Sequence, residues 1–213
     1  MATLIRRLMR VVFYLLYHPF AFTYDLVAAA VSFGRWKDWV MSVVPFIEGT
    51  RVLELGHGPG HLQRILRSRQ LMSFGLDESA PMGYLAKTRL RKNGFSKLNL
   101  TRGVSQNLPF AANTFHTIVS TFPSDYIFDG RTVAEARRCL LNGGRLVVLP
   151  VAWPKNRFLS WLFRVTHETP SNAMQVIHDR LTRPFQQAGF EVEIKTLEVK
   201  SSLLLIIIAT NPL

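Results

Sequence analysis

The run Val52-Leu53-Glu54-Leu55-Gly56-His57-Gly58-Pro59-Gly60 sets an acid and three closely spaced glycines at the end of an apolar segment. One helix length later, Met72-Ser73-Phe74-Gly75-Leu76 leads into Asp77. Strand, glycine turn, helix and a second strand ending on a carboxylate form a cradle for a nucleoside-bearing cofactor. The glycines let the ligand approach the backbone, and the carboxylate can accept both ribose hydroxyls. A solvated strand-end Asp, or the N-cap of the next helix, is the alternative role for Asp77. Spacing then narrows the cofactor. A dinucleotide site reads G-x-G-x-x-G, but His61 stands where its last glycine is required. The pattern here is acidic-x-G-x-G-x-G, with Glu54 two residues before the first glycine.

This pattern resembles the first motif of class I S-adenosylmethionine-dependent methyltransferases. The resemblance implies that the Gly56–Gly60 loop passes beneath the methionine arm of S-adenosylmethionine. It also implies that Glu54 helps to hold the charged amino group and that Asp77 binds the ribose. Gly103 to Phe110, with its Leu108-Pro109-Phe110 turn, and Asn113 to Ser120 look like the third-strand loop and fourth strand of the ubiquinone/menaquinone-biosynthesis branch. The chain departs from that branch at Val104, where an acidic contact to adenine is usual, and at Ser105, where alanine is usual. Adenine recognition then falls to backbone groups, Ser105 or Gln106, or is weaker. His116 replaces a common Asp and reads as a structural substitution; Asn142 stands where proline is common. Carried over position by position, the cofactor set is Glu54, Gly56, His57, Gly58, Gly60, Asp77, Glu78, Ser105, Gln106 and Thr121, with S-adenosylhomocysteine as product. The resemblance covers roughly residues 36 to 213.

Alternation of helix and strand patterns from 50 to 150 indicates an α/β fold with a parallel sheet. With the resemblance, the expectation is a Rossmann-like, seven-stranded, mostly parallel sheet with helices on both faces. A C-terminal antiparallel hairpin over Phe190–Leu197 and Leu203–Thr210 completes it. At 213 residues the chain can bury one full core. Residues 1–35 read as an N-terminal amphipathic helical extension or cap, and residues 36–213 as the methyltransferase domain. The single cysteine, Cys139, can form no internal disulfide, fits a reducing compartment and reads as core.

The formal net charge of +12 needs a partner or a solvated basic face. Between Arg64 and Arg102 the only acids are Asp77 and Glu78. Anionic lipid and nucleic acid both attract such a surface. Leu4, Ile5, Leu8, Val12, Leu15 and Leu16 recur at helical spacing, with Arg6, Arg7 and Arg10 on another face. The apolar run from Val11 to Tyr17 is far shorter than the ~20 residues that span a bilayer. A signal peptide is a rival reading, opposed by the intervening Tyr24-Asp25 and by the cytosolic cofactor. An interfacial helix and a cap over the active site are compatible alternatives. A second aromatic stretch, Trp153, Phe158, Trp161, Leu162 and Phe163, follows the fifth strand and, with the N-terminal helices, suggests a greasy acceptor.

No constellation identifies a catalytic base. Ser120-Thr121-Phe122-Pro123 lacks the Asn/Asp-Pro-Pro-aromatic motif of nucleobase amine methylation, and Cys139 is misplaced for pyrimidine C5 chemistry. His57 and His61 straddle the turn without a third ligand, so no metal site is expected. Asp125 and Asp129 have no diagnostic spacing; Tyr126 and His167 are conceivable acceptor-side groups. The expected function is methyl transfer to a hydrophobic small molecule or lipid-like acceptor. The expected location is the cytoplasm, peripheral on the inner face of the membrane. Methylation of RNA or of a basic-surface partner, and a non-catalytic binding role, are the alternatives. Oligomeric state is open.

Overall fold

The computed structural model describes residues 27–29, 32–154, 179 and 181–212. In chain order the elements are α1 (Trp36–Met41), β1 (Arg51–Leu55), α2 (His61–Ser68), β2 (Met72–Asp77), α3 (Ala80–Lys92), β3 (Leu100–Arg102), β4 (Phe115–Thr121), α4 (Gly130–Cys139) and β5 (Leu140–Pro154). A helical stretch α5 at 181–187 then precedes β6 (Glu191–Val199) and β7 (Ser202–Thr210). The expected N-terminal helix over 4–17, Tyr24, the aromatics Phe158 to Phe163 and His167 lie outside the described residues.

The strands form one seven-stranded sheet in the order β3-β2-β1-β4-β5-β7-β6. Strands β1 to β5 pair in parallel, and β7 runs antiparallel to both β5 and β6. Winding reverses at β1, which pairs with β2 on one side and β4 on the other. A crevice therefore opens at the carboxyl ends of these two strands, the place where open α/β sheets bind ligands.

Strand side chains alternate between two buried layers, so the strands read as nearly continuous apolar runs. Leu53, Leu55, Ile118, Leu146, Val148 and Ile207 join Val133, Ala136 and Cys139 of α4 and Phe185 of α5 on one face. Val52, Val119, Val147, Leu149 and Ile206 meet Trp39 and Val40 of α1 and Leu62, Ile65 and Leu66 of α2 on the other. Cys139 is fully buried in the first layer, and burial pushes its thiol up to about 11.

The hairpin matches the expected one with shifted bounds. Both of its strands extend to the turn at Lys200–Ser201, because Val199 pairs with Ser202. Strand β5 continues past Leu149 to Pro154 through an irregularity between Val148 and Val151, as β7 supplies partners to Ser202. The hairpin turn also reaches α1: Lys200 Nζ lies 2.6 Å from Asp38 Oδ2, and Arg35 Nη1 donates to Ser201 O at 3.2 Å.

Helix α3 begins with Ser79, whose hydroxyl accepts from Met82 N at 3.3 Å. It crosses close over the start of α2. There Gly60 has φ +83°, and a Cβ on it would sit 2.9 Å from Ala86 Cβ and 3.0 Å from Ala86 Cα. Gly60→Ala should therefore combine a left-handed strain with a backbone clash and destabilise by ~1–3 kcal/mol. A lowered urea midpoint at unchanged slope is the expected observation.

Candidate cofactor-binding site

Strand β1 delivers Glu54 and Leu55 to the crevice, and the chain then turns sharply. Gly56, Gly58 and Gly60 all have positive φ, at 68°, 50° and 83°. Gly56 is further constrained from above, since a Cβ there would run into the Tyr126 hydroxyl. That hydroxyl, Ser120 Oγ and the Leu55 carbonyl form a triangle with sides of 2.8, 2.9 and 3.1 Å. Tyr126 thus braces the floor of the turn from its structural position after β4.

The turn is fastened to β2. Gly56 N and His57 N both donate to Leu76 O, at 2.8 and 3.3 Å. Asp77 Oδ2 accepts from Gly58 N and Asp77 Oδ1 from Ser79 N, each at 2.8 Å. One carboxylate therefore joins the glycine loop to the cap of α3. His57 is buried, with Nδ1 2.7 Å from Gly58 O, an intraloop hydrogen bond. No group of three His, Cys, Asp or Glu side chains suited to a metal occurs among the described residues.

Glu54 is the unusual member. It is 2 % exposed, and its Oε2 accepts from Gln63 Nε2 at 2.9 Å. Burial holds its carboxyl well above the usual carboxylate range; the Gln63 hydrogen bond opposes this, and the charge of Asp77 adds to it. Gln63 Nε2 also donates to Phe74 O at 2.9 Å, while Gln63 Oε1 is buried without a hydrogen-bond partner. Gln63 is itself fully buried, and a cation brought to Glu54 would favour its ionised form.

Glu54, Gly56, His57, Gly58 and Thr121 line one cleft together with Trp36, Val40 and His61. Gly60 stands at its back, as the N-cap of α2. Glu78 is exposed, its carbonyl accepting from Arg102 Nε at 3.0 Å. Ser105 and Gln106 turn toward α4 instead: Ser105 Oγ is buried 3.2 Å from Thr132 Oγ1, and Gln106 Nε2 donates to Asp129 Oδ2 at 3.3 Å. The 104–110 loop is held further by Glu135 Oε2, which accepts from Leu108 N at 2.7 Å, and by Arg138, which donates to the carbonyls of Leu108 and Phe110. Val104, at the end of β3, is 45 % exposed.

Sequence reasoning missed Gln63, Trp36 and Phe122. A polar Gln63 between Leu62 and Ile65 on the buried face of α2 is a visible signal. Phe122 leaves β4 with φ 51° and stacks on Trp36 at 4.4 Å between ring centroids. Nothing in the local sequence foretells that pairing, which joins α1 to the cleft rim.

Comparisons with known proteins bear on the fold and the family. The chain covers 84 % of itself and 53 % of a phosphoethanolamine N-methyltransferase 2 from Haemonchus contortus, solved with S-adenosylhomocysteine, at a TM-score of 0.60 and 15 % identity. A SAM-dependent methyltransferase from Aquifex aeolicus aligns over 83 % of this chain and 92 % of its own, with a TM-score of 0.58 and 18 % identity. These likenesses establish the fold. Among curated relatives, the demethylmenaquinone methyltransferase of Thermotoga maritima is 32 % identical over 67 % of this chain and 62 % of the relative. The ubiquinone/menaquinone biosynthesis C-methyltransferase UbiE of Legionella pneumophila is 31 % identical over 65 % of this chain and 58 % of the relative. The chain thus spans about three fifths of the length of these relatives. The ubiE/COQ5 methyltransferase family model matches residues 10–172. With most of its length inside that match, and with the sheet order and glycine turn described above, the chain belongs to the ubiE/COQ5 methyltransferase family.

Proposed function

We propose that this chain transfers a methyl group from S-adenosylmethionine to a hydrophobic, quinone-like small molecule or lipid. The observation that carries the reading is the buried Glu54 carboxyl in the cleft lined by the glycine turn, a turn that Asp77 fastens to the end of β2. S-adenosylmethionine carries an ammonium at one end and a ribose diol toward the other, and its sulfonium supplies an activated methyl group. Glu54 would hold the ammonium, whose charge offsets both the burial of the carboxylate and its repulsion from Asp77. Asp77 keeps lone pairs free beyond those used by Gly58 and Ser79, enough for the ribose hydroxyls. Gly56, His57, Gly58 and Gly60 shape the path of the methionine arm, and Thr121 faces it from β4. Ser105 and Gln106 act on the nucleoside side through the loop backbone that they fix, beside Glu78.

Transfer from a sulfonium is an in-line displacement, so the protein's main task is to align the acceptor. Trp36, Val40 and Phe122 provide an apolar wall at the rim for a flat acceptor. The names of the relatives, which specify demethylmenaquinone and ubiquinone/menaquinone biosynthesis, support the acceptor class. No helix among the described residues is long and apolar enough to cross a membrane. Peripheral action on the cytoplasmic membrane face is our reading of the +12 charge and of the cationic, aromatic segment at 4–17. An RNA substrate is the alternative that the same charge supports.

Calorimetric titration should show S-adenosylmethionine and S-adenosylhomocysteine binding near micromolar, about −8 kcal/mol; a folded protein that binds neither would refute the reading. Asp77→Ala should weaken both by roughly 1–3 kcal/mol, through lost acceptors for the ribose and for the Gly58 amide.

Glu54→Gln should separate binding from stability. The folded carboxyl retains its proton above the pH where the unfolded chain has released it. Stability of the parent therefore falls as pH rises from the usual carboxylate range toward neutrality. The variant should lose that slope in urea titrations from pH 5 to 8 and be the more stable protein at pH 7, since an amide can also serve Gln63 Oε1. Its affinity for S-adenosylhomocysteine should drop by ~1.5–3 kcal/mol, the range for a hydrogen bond to a charged group. At the membrane, Arg6, Arg7 and Arg10 changed together to Gln should abolish flotation on phosphatidylglycerol-containing vesicles; undiminished flotation would remove that segment from the proposal.

A further inference from the structure

Gln63 is a polar residue on the buried face of α2, beside Leu62, Ile65 and Leu66. It is the third residue of that helix, a place from which a glutamine side chain can reach back to cap its own N-terminus. Here it turns inward, is fully buried and bridges two strands. Its Nε2 donates to Glu54 Oε2 of β1 and to Phe74 O of β2, each at 2.9 Å. Gly75, the register partner of Glu54, leaves room for it: a Cβ there would sit 3.3 Å from Gln63 Cδ and 2.9 Å from His57 Cδ2.

Packing does not account for an amide at this place. Its burial costs desolvation, and its Oε1 is left without a hydrogen-bond partner. Its orientation is nevertheless set. The Phe74 carbonyl can only accept, so turning the amide over would press Oε1 against an acceptor; both N–H groups must face the two oxygens. Glu54 is therefore offered a donor in either protonation state, which favours the carboxylate over the neutral acid. Burial and the charge of Asp77 push the other way. Glu54 lines the cofactor cleft, whereas Gln63 does not. Given the cofactor reading above, we infer that Gln63 is a positioning residue for S-adenosylmethionine: pinned by the Phe74 carbonyl, its amide holds the Glu54 carboxylate for the ligand's ammonium without touching the ligand. The other titratable groups around Glu54 are Asp77 at the end of β2, His57 in the turn and His61 at the start of α2. Helix α1 and β4 bring Trp36, Val40 and Thr121 to the cleft, none of them charged.

The test titrates the full chain calorimetrically with S-adenosylhomocysteine, in the parent, Gln63→Met, Glu54→Gln and the double variant. Methionine keeps the length of glutamine and removes both donors, so Gln63→Met should weaken binding at least tenfold at pH 7. In the Glu54→Gln background the same change should cost less than threefold, because Gln63 acts through the carboxylate. The loss in the parent background should also narrow as pH rises from 6 to 9, since alkali ionises Glu54 without help from a donor. Asp77, His57 and His61 are common to all four proteins. Equal losses in the two backgrounds, or a loss unchanged across that pH range, would make Gln63 a packing residue and overturn the inference. Gln63→Asn, too short to span both acceptors, is the milder substitute should Gln63→Met fail to fold. Urea titrations without ligand separate this role from the cofactor reading. The Glu54 carboxyl of Gln63→Met should keep its proton to higher pH than the parent's, so the variant should go on losing stability after the parent has levelled. Identical profiles would overturn the inference even where S-adenosylhomocysteine binds. Distinct profiles in a protein that does not bind it would refute the cofactor reading and leave Gln63 as the partner that sets Glu54.

Discussion

Asp77 ends β2, the strand beside the one at which the sheet reverses its winding, and its carboxylate makes two backbone bonds in opposite directions along the chain. One oxygen holds the Gly58 amide and the other the Ser79 amide, each at 2.8 Å. Through the first it closes the glycine turn over the edge of β1. Through the second it sets the start of α3, whose Ala86 then seats against Gly60. The shape of the loop, the position of the helix and the depth of the crevice all follow from that one side chain. Because both bonds are charge-assisted, they are about twice as strong as neutral ones and favour a preformed site.

Preformation is accompanied by an electrostatic cost at Glu54. A carboxyl buried beside another carboxylate, with one amide donor, is held in its neutral form more readily than a solvated one. The apolar layer of Leu62, Ile65 and Leu66 around α2 offsets that cost by sealing the same region. In the proposed reading, the ammonium of the cofactor would favour the ionised carboxylate and offset the cost of its burial.

The fold was readable from residues 50–150 because a parallel sheet buried on both faces writes itself as apolar runs punctuated by glycine. The glycine turn after β1 and the place of Asp77 at the end of β2 were legible for the same reason: both depend on main-chain geometry and local order. The hairpin was legible in type and displaced only at its ends. What escaped depends on contacts between distant segments. Ser105 reaches Thr132 of α4 and Gln106 its N-cap Asp129, 27 and 23 positions away, and Trp36 meets Phe122 from a distant part of the sequence. Tyr126, a conceivable acceptor-side group from the sequence, contacts the Leu55 carbonyl through its hydroxyl, a partner 71 residues earlier that no spacing rule suggests.

The contacts of the hairpin turn carry a consequence for how the molecule is made. Arg35 and Asp38, on either side of Trp36, are held by Ser201 and Lys200, separated from them by 166 and 162 residues. Beneath those bonds, Trp39, Val40 and Val43 pack into the layer completed by Leu204 and Ile206 of β7. During synthesis the glycine turn, Asp77 and β4 can all assemble while the final strand is still inside the ribosome. The wall that carries Trp36 cannot be fixed until that strand emerges, so the earliest-made part of the rim is the last to be locked in place.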